Sequence, residues 1–191
     1  MKLKDYMTKV WGISEQYSEI HKNPQYSLEV FSLGLVGEIG EVAELIKKSL
    51  RDGNPLDYKA LALELGDCLC YHILLLKWME INYPERVQEQ IQSIKEVELS
   101  TFPEGKIFIE DSTKLAIILG SESSYLAHYC VCIFSRVSFV DLVSQVFRGV
   151  EVLGKLAQTF KLNLEDIALG NIQKLEKRAS EGKLKHQDRI R

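Results

Sequence analysis

Two pairs of acidic residues, Glu38/Glu41 and Glu64/Asp67, lie inside apolar stretches in Gly37-Glu38-Ile39-Gly40-Glu41 and Glu64-Leu65-Gly66-Asp67. Within each pair the spacing of three puts both carboxylates on one helical face, about one turn apart. Two such helices side by side would build an all-oxygen cage. Around the second pair the chain reads Lys59-Ala60-Leu61-Ala62-Leu63 and then Cys68-Leu69-Cys70-Tyr71-His72-Ile73-Leu74-Leu75-Leu76, apolar on nearly every side. A helix of that kind is buried. An ionised carboxylate placed there costs several kcal/mol unless a cation or a set of donors compensates it. Carboxylate-only sites suit hard cations, so Mg²⁺ is the expected ion and Mn²⁺ its closest substitute. Four carboxylates exceed the charge of one divalent ion, so the empty site should keep a proton or hold further metal loosely.

Phosphate-bearing substrates bring Mg²⁺ of their own and need cations from the protein. In the last helical stretch Asn171, Lys174 and Arg178 fall at i, i+3 and i+7 and line one face, and Lys48 stands two turns beyond Glu41. These four are the candidate phosphate contacts; on spacing alone Lys48 could equally be a solvated surface residue, and for Asn171, Lys174 and Arg178 the surface reading stays ahead. The acidic pairs could instead bridge neighbouring basic residues. That reading is weaker for Glu64/Asp67, whose helix carries no Lys or Arg between Lys59 and Lys77.

Helical periodicity supplies the elements that must hold these groups. A first helix is expected over Leu3 to His21, ended by Asn23-Pro24. A second runs from Ser27 to Leu50 and stops at Arg51-Asp52-Gly53-Asn54-Pro55, with Phe31, Leu35, Ile39, Val42 and Ile46 as its apolar stripe. A third covers Leu56 to Ile81, and a shorter one Glu85 to Leu99. Ser100 to Asp111 reads as a small hairpin or extended excursion. Beyond it, Lys114 to Leu119 and Tyr125 to Val137 look helical, separated by Gly120-Ser121. A stripe from Val143 to Phe160 follows, and then a helix capped by Asn163 and ending near Gly182. No internal repeat or low-complexity tract is evident.

The chain has 191 residues, 46% of them hydrophobic and 27% charged, enough for one sizeable core and one domain over residues 1–191. A net charge of -3 argues against general nucleic-acid binding. No run approaches the roughly 18 apolar residues of a membrane span, and the first residues lack the apolar region of a signal peptide, so a cytoplasmic protein is expected. Cys68-Leu69-Cys70 and Cys130-Val131-Cys132 invite a zinc reading, but residues two apart diverge on a helix, and small hydrophobes in a core is the simpler account. A di-iron carboxylate bundle would need Glu-x-x-His, and no histidine here has a glutamate three residues before it.

Leu33-Gly34-Leu35-Val36-Gly37-Glu38-Ile39-Gly40-Glu41-Val42-Ala43-Glu44, then Glu64-Leu65-Gly66-Asp67, then Asn171-Ile172-Gln173-Lys174-Leu175-Glu176-Lys177-Arg178 together resemble the MazG-like all-α nucleoside triphosphate pyrophosphohydrolases. That family's pattern is E-E-x-x-E, E-x-x-D and a later N-x-x-K-L-x-x-R. The resemblance implies an all-α, four-helix-bundle-like core and Mg²⁺-dependent cleavage of a nucleoside triphosphate between the α and β phosphates, giving a monophosphate and pyrophosphate, as in house-cleaning of the nucleotide pool. It implies that Glu38, Glu41, Glu64 and Asp67 bind the metal and that Asn171, Lys174 and Arg178 approach the phosphates. Glu38 or Glu41 could act as the base, with Glu44 behind them, and Trp11, Gln16 and Tyr26 are candidates for contacts to the nucleobase. Two departures stand out: Gly37 replaces the first glutamate of the pattern, and an irregular insertion is expected over residues 82–138. A non-catalytic nucleotide-binding or regulatory module is the alternative. The apolar surface of the third helix exceeds what one small bundle covers, so a homodimer or homotetramer is expected.

Overall fold

Asn23, Asp57 and Asn163 each set the start of a helix by accepting hydrogen bonds from the free backbone N–H groups of its first turn. Asn23 takes those of Gln25 (2.9 Å) and Tyr26 (3.3 Å), Asp57 those of Lys59 and Ala60 (both 2.9 Å), and Asn163 those of Glu165 (2.8 Å) and Asp166 (3.3 Å). A computed structural model describes residues 1–16, 18–101, 111–132 and 139–182. Over these it is all-α, with α1 Leu3–Ser14, α2 Ser18–His21, α3 Pro24–Asp52, α4 Tyr58–Asn82, α5 Pro84–Lys95, α6 Ser112–Cys132, α7 Phe139–Thr159 and α8 Leu164–Ser180. The described residues contain no strand, only an isolated bridge between Lys2 and Glu98.

Four boundaries differ from those the sequence suggests. The helix expected over Leu3 to His21 breaks after Ser14, whose hydroxyl turns back to donate to the Trp11 carbonyl at 2.7 Å. Asn23-Pro24 opens α3 instead of closing a helix, because proline's missing N–H costs nothing at the first helical position. Residues 112–132 form one helix straight through Gly120-Ser121: α6 packs against α3 and α7, and that burial outweighs a glycine penalty of about 1 kcal/mol. The irregular insertion expected over 82–138 is, in its described part, largely helical: α5 matches the helix expected at Glu85 to Leu99, and α6 joins the two expected beyond it. The hairpin expected over Ser100 to Asp111 falls almost wholly on 102–110, outside the described residues, as does the end of the helix expected to reach Val137.

α4 is the axis of the molecule. It packs against α1, α3, α5, α7 and α8, which is why it is apolar all round. Leu61, Leu65, Leu69, Ile73 and Leu76 are fully buried along it, and each contributes about 1.5–3 kcal/mol by leaving water. Most of the apolar surface that prompted the expectation of a homodimer or homotetramer is covered within the chain, while Leu63 and Ile81 of α4 stay exposed. Cys68 and Cys70 are buried free thiols in this core. His72 is buried with them; its Nδ1 bonds the Cys68 carbonyl at 2.8 Å, and burial pushes its pKa down to about 4, so the ring is neutral.

His72 fits because α7 presents Gly149 to it. A Cβ there would lie 2.2 Å from His72 Nε2. Gly149→Ala would gain about 1 kcal/mol of helix propensity on an exposed surface, yet here it is expected to lower the urea midpoint, since the ring has no room to retreat. A midpoint that rises would show that α4 and α7 are less tightly apposed than described.

Candidate active site: a carboxylate cluster beside an aromatic cavity

α3 and α4 run side by side, and their inward acidic residues meet. Oxygens of Glu38, Glu64 and Asp67 lie within 4.8 Å of one another, the only metal-compatible cluster of this kind among the described residues. Asp67 is buried, and Glu38 and Glu64 are half-buried. Glu41 is exposed at the edge of the cluster, near enough for its charge to act on both Glu38 and Glu64.

α8 closes the site from the other side. Asn171 Nδ2 donates to Asp67 Oδ1 at 2.8 Å, and the Tyr6 hydroxyl donates to Asn171 Oδ1 at 2.9 Å. Lys174 Nζ donates to Asp67 Oδ2. This approach depends on Gly66, where a Cβ would stand 3.2 Å from Asn171 Cβ and 3.4 Å from the Ile167 carbonyl oxygen. The glycine between Glu64 and Asp67 therefore lets α8 come close enough for its asparagine and lysine to reach the carboxylates. Of the phosphate candidates, Asn171 and Lys174 sit on the cluster, and Arg178 lines the cavity next to it. Lys48 is turned to solvent and paired with Glu44 at 3.4 Å.

Crowding of negative charge governs the titration. Burial, then Asp67, then Glu64 push the Glu38 carboxyl up to about 7. Glu64 is raised too, first by burial and then by Asp67, and is held by a hydrogen bond with Glu38. Near neutral pH the cluster keeps a proton that a cation would displace. Folding therefore binds a proton that the unfolded chain, with its ordinary carboxyl near 4.5, gives up. The Glu38 contribution to stability is full below about pH 4.5 and is lost as pH rises to about 7. In chelator, the melting temperature of the wild-type protein is expected to fall relative to Glu38→Gln between pH 5 and pH 8. Parallel curves would contradict this assignment.

A cavity of about 160 Å³ opens from Glu38 and Asp67 toward α1 and α2, with Phe31, Tyr71, His21 and Ser14 in its wall. Trp11 stands edge-on to His21, ring centroids 4.6 Å apart, and also contacts Phe31 at 6.3 Å. His21 Nε2 is buried without a hydrogen-bond partner among the described residues. The expected base contacts fare unevenly: Trp11 belongs to this aromatic group with its indole N–H on Glu15, whereas Gln16 and Tyr26 are exposed. In the sequence none of His21, Phe31 and Tyr71 stands out as a site residue, Phe31 entering only as part of an apolar stripe. Their shared wall exists only once α1 and α2 fold back over α3 and α4.

All donors in the cluster are carboxylate oxygens, crowded and incompletely neutralised, a set that fits a hard divalent cation. Residues 27–97 match the family model described as the MazG nucleotide pyrophosphohydrolase domain. No curated protein and no solved structure gives a match. The matched segment contains Glu38, Glu41, Glu64 and Asp67, and over that segment the all-α chain is similar to the MazG family.

Proposed function

We propose that the protein is a Mg²⁺-dependent nucleoside triphosphate pyrophosphohydrolase that cleaves between the α and β phosphates. The observation that carries this reading is the convergence of Glu38, Glu64 and Asp67 from α3 and α4 with Asn171 and Lys174 from α8, at the mouth of an aromatic cavity. When bound, the cation supplies charge neutralisation at the phosphates and polarisation of a phosphoryl oxygen. The three carboxylates would hold it, and Mn²⁺ would substitute.

The chain's own groups divide the remaining work. Asn171, fixed by Tyr6, orients Asp67. Lys174 would turn from Asp67 to the phosphate oxygens, and Arg178, in the cavity wall, would reach the phosphates on the side nearest the base. Glu41, outside the close trio and open to solvent, is free to accept the proton of the attacking water. The base enters the cavity between Phe31, His21 and Tyr71, where ring stacking is available. Lys48, engaged with Glu44, drops out of the phosphate set.

The Lys174–Asp67 ion pair favours a second reading, a helical module that holds a nucleotide without cleaving it, because a lysine already neutralises one carboxylate. A panel of nucleoside triphosphates with Mg²⁺ separates the two. Stoichiometric pyrophosphate and monophosphate are expected for the hydrolase. Orthophosphate as the sole product, or nucleotide binding with no product, would reject it.

A further inference from the structure

α6, α7 and α8 repeat α3, α4 and α5. Phe139 opens α7 as Tyr58 opens α4. Stepping both helices forward in that register sets buried Leu61, Leu65, Leu69 and Leu76 against buried Leu142, Val146, Val150 and Ala157. The same register crosses the next loop unchanged and pairs Val87 and Ile91 of α5 with Ala168 and Ile172 of α8, all buried. In α6, buried Leu115, Ala116, Leu119 and Leu126 correspond to Phe31, Ser32, Leu35 and Val42 of α3. Packing follows the same exchange: α4 holds α8 while α7 holds α5, with α3 against α6 and α4 against α7. Reciprocal contacts of this kind are what a two-fold relation between two like units produces. The repeat escapes notice in the sequence because few identities survive; it lies in burial and register.

In the α3/α6 register, three residues longer than that of α4/α7, Glu38 corresponds to Glu122, and in the α4/α7 register Glu64 and Asp67 correspond to Gln145 and Arg148; the fold brings this second trio together as well. Arg148 Nε donates to Glu122 Oε1 at 2.8 Å, and Gln145 Nε2 donates to Glu122 Oε2. Asn171 and Lys174 correspond to Gln90 and Ser93 of α5, which line a groove together with Gln145 and Arg148. Glu41 corresponds to Tyr125. Four carboxylates have become one, and that one is held by a guanidinium that stays charged at any pH the protein tolerates.

We propose that the chain is a fused pair of three-helix units with one cation-binding site, formed by Glu38, Glu64 and Asp67 of the first unit and completed by Asn171 and Lys174 of the second, while the equivalent second site is closed to cations by the Glu122–Arg148 ion pair. A single chain then contains the whole site and needs no second copy to complete it. The inference rests on the reading of the first trio as a cation site, and it is independent of whether hydrolysis follows.

Mn²⁺ titration, read from the electron paramagnetic resonance signal of the free ion, tests it without turnover. Glu64→Gln with Asp67→Asn is expected to weaken Mn²⁺ binding more than about tenfold and leave no second class of site, whereas Glu122→Gln leaves binding unchanged. Adding Gln145→Glu and Arg148→Asp to the Glu64→Gln/Asp67→Asn chain should restore Mn²⁺ binding, which Glu122→Gln then removes. Mn²⁺ binding that survives Glu64→Gln/Asp67→Asn and disappears with Glu122→Gln would overturn the proposal. So would a four-substitution chain that melts cooperatively and binds none. If that chain does not fold, the Glu122→Gln comparison decides by itself, because a live second site would lose Mn²⁺ there. A wild-type protein that binds no Mn²⁺ rejects the reading of the first site, a different failure from a live second site.

Discussion

Glu64→Gln and Asp67→Asn are each expected to lower kcat by about 10³-fold with the fold intact. Each removes one charged oxygen ligand and keeps the side-chain shape, so the loss reads as transition-state charge stabilisation, for which a held cation is worth several kcal/mol. The two should differ in stability. Asp67 is buried and bonded to both Asn171 and Lys174, so Asp67→Asn leaves the Lys174 ammonium beside a neutral amide and is expected to cost more in a thermal melt than Glu64→Gln. Glu64→Gln relieves repulsion in a crowded cluster and is expected to leave the metal-free protein as stable as the wild type or more so. Wild-type turnover in both variants, measured as pyrophosphate release, would remove these residues from the chemistry.

Lys174→Ala is expected to act in opposite directions on metal and on substrate. In the free protein Lys174 occupies Asp67, competing with any cation that uses the same oxygens. Its removal should tighten Mn²⁺ binding in the absence of nucleotide. With nucleotide present, the same substitution removes a charge-assisted contact to the phosphates, and kcat/KM should fall by about 10²-fold, two factors of ten being about 3 kcal/mol. A lysine that only braces the fold would weaken both together. Calorimetric Mn²⁺ titration of the variant beside its steady-state kinetics separates the two roles.

Much of this site was legible because its signal is local. Acidic residues spaced three apart within apolar helical sequence report both their common face and their burial, and that placed Glu38, Glu64 and Asp67 on one cluster. For Asn171 and Lys174 helical spacing gave a shared face, and the resemblance supplied their link to the site. Glu41 lies just outside the trio, because three residues on from Glu38 falls short of a full turn and leaves it farther from the apolar stripe of α3. Lys48 shows the limit of spacing arguments: it shares a helical side with Glu41, but the neighbouring Glu44 captures it.

What the sequence concealed depends on contacts distant along the chain. The cavity wall joins His21 of α2 to Phe31 of α3 and Tyr71 of α4, and no single stretch carries that association. The segment 82–138 reads as an insertion because compact members of the resembled family pass from the E-x-x-D helix soon to the closing helices, yet α5 and α6 within it are the last helix of one unit and the first of the next. Excess apolar surface on α4 was read as a demand for another protein copy. Within the chain, α7 and α8 cover much of that surface, and Leu63 and Ile81 stay exposed.

The central claim is that Glu38, Glu64 and Asp67 share a hard cation with the phosphates of a nucleotide. Anomalous diffraction from crystals grown with Mn²⁺ and an α,β-imido nucleoside triphosphate tests it directly. The account predicts a Mn²⁺ peak about 2.1 Å from oxygens of these three carboxylates, with Lys174 turned from Asp67 onto a phosphate oxygen and the base against Phe31 and Tyr71. A bound nucleotide with no ion between the carboxylates, and with Lys174 still on Asp67, would contradict it.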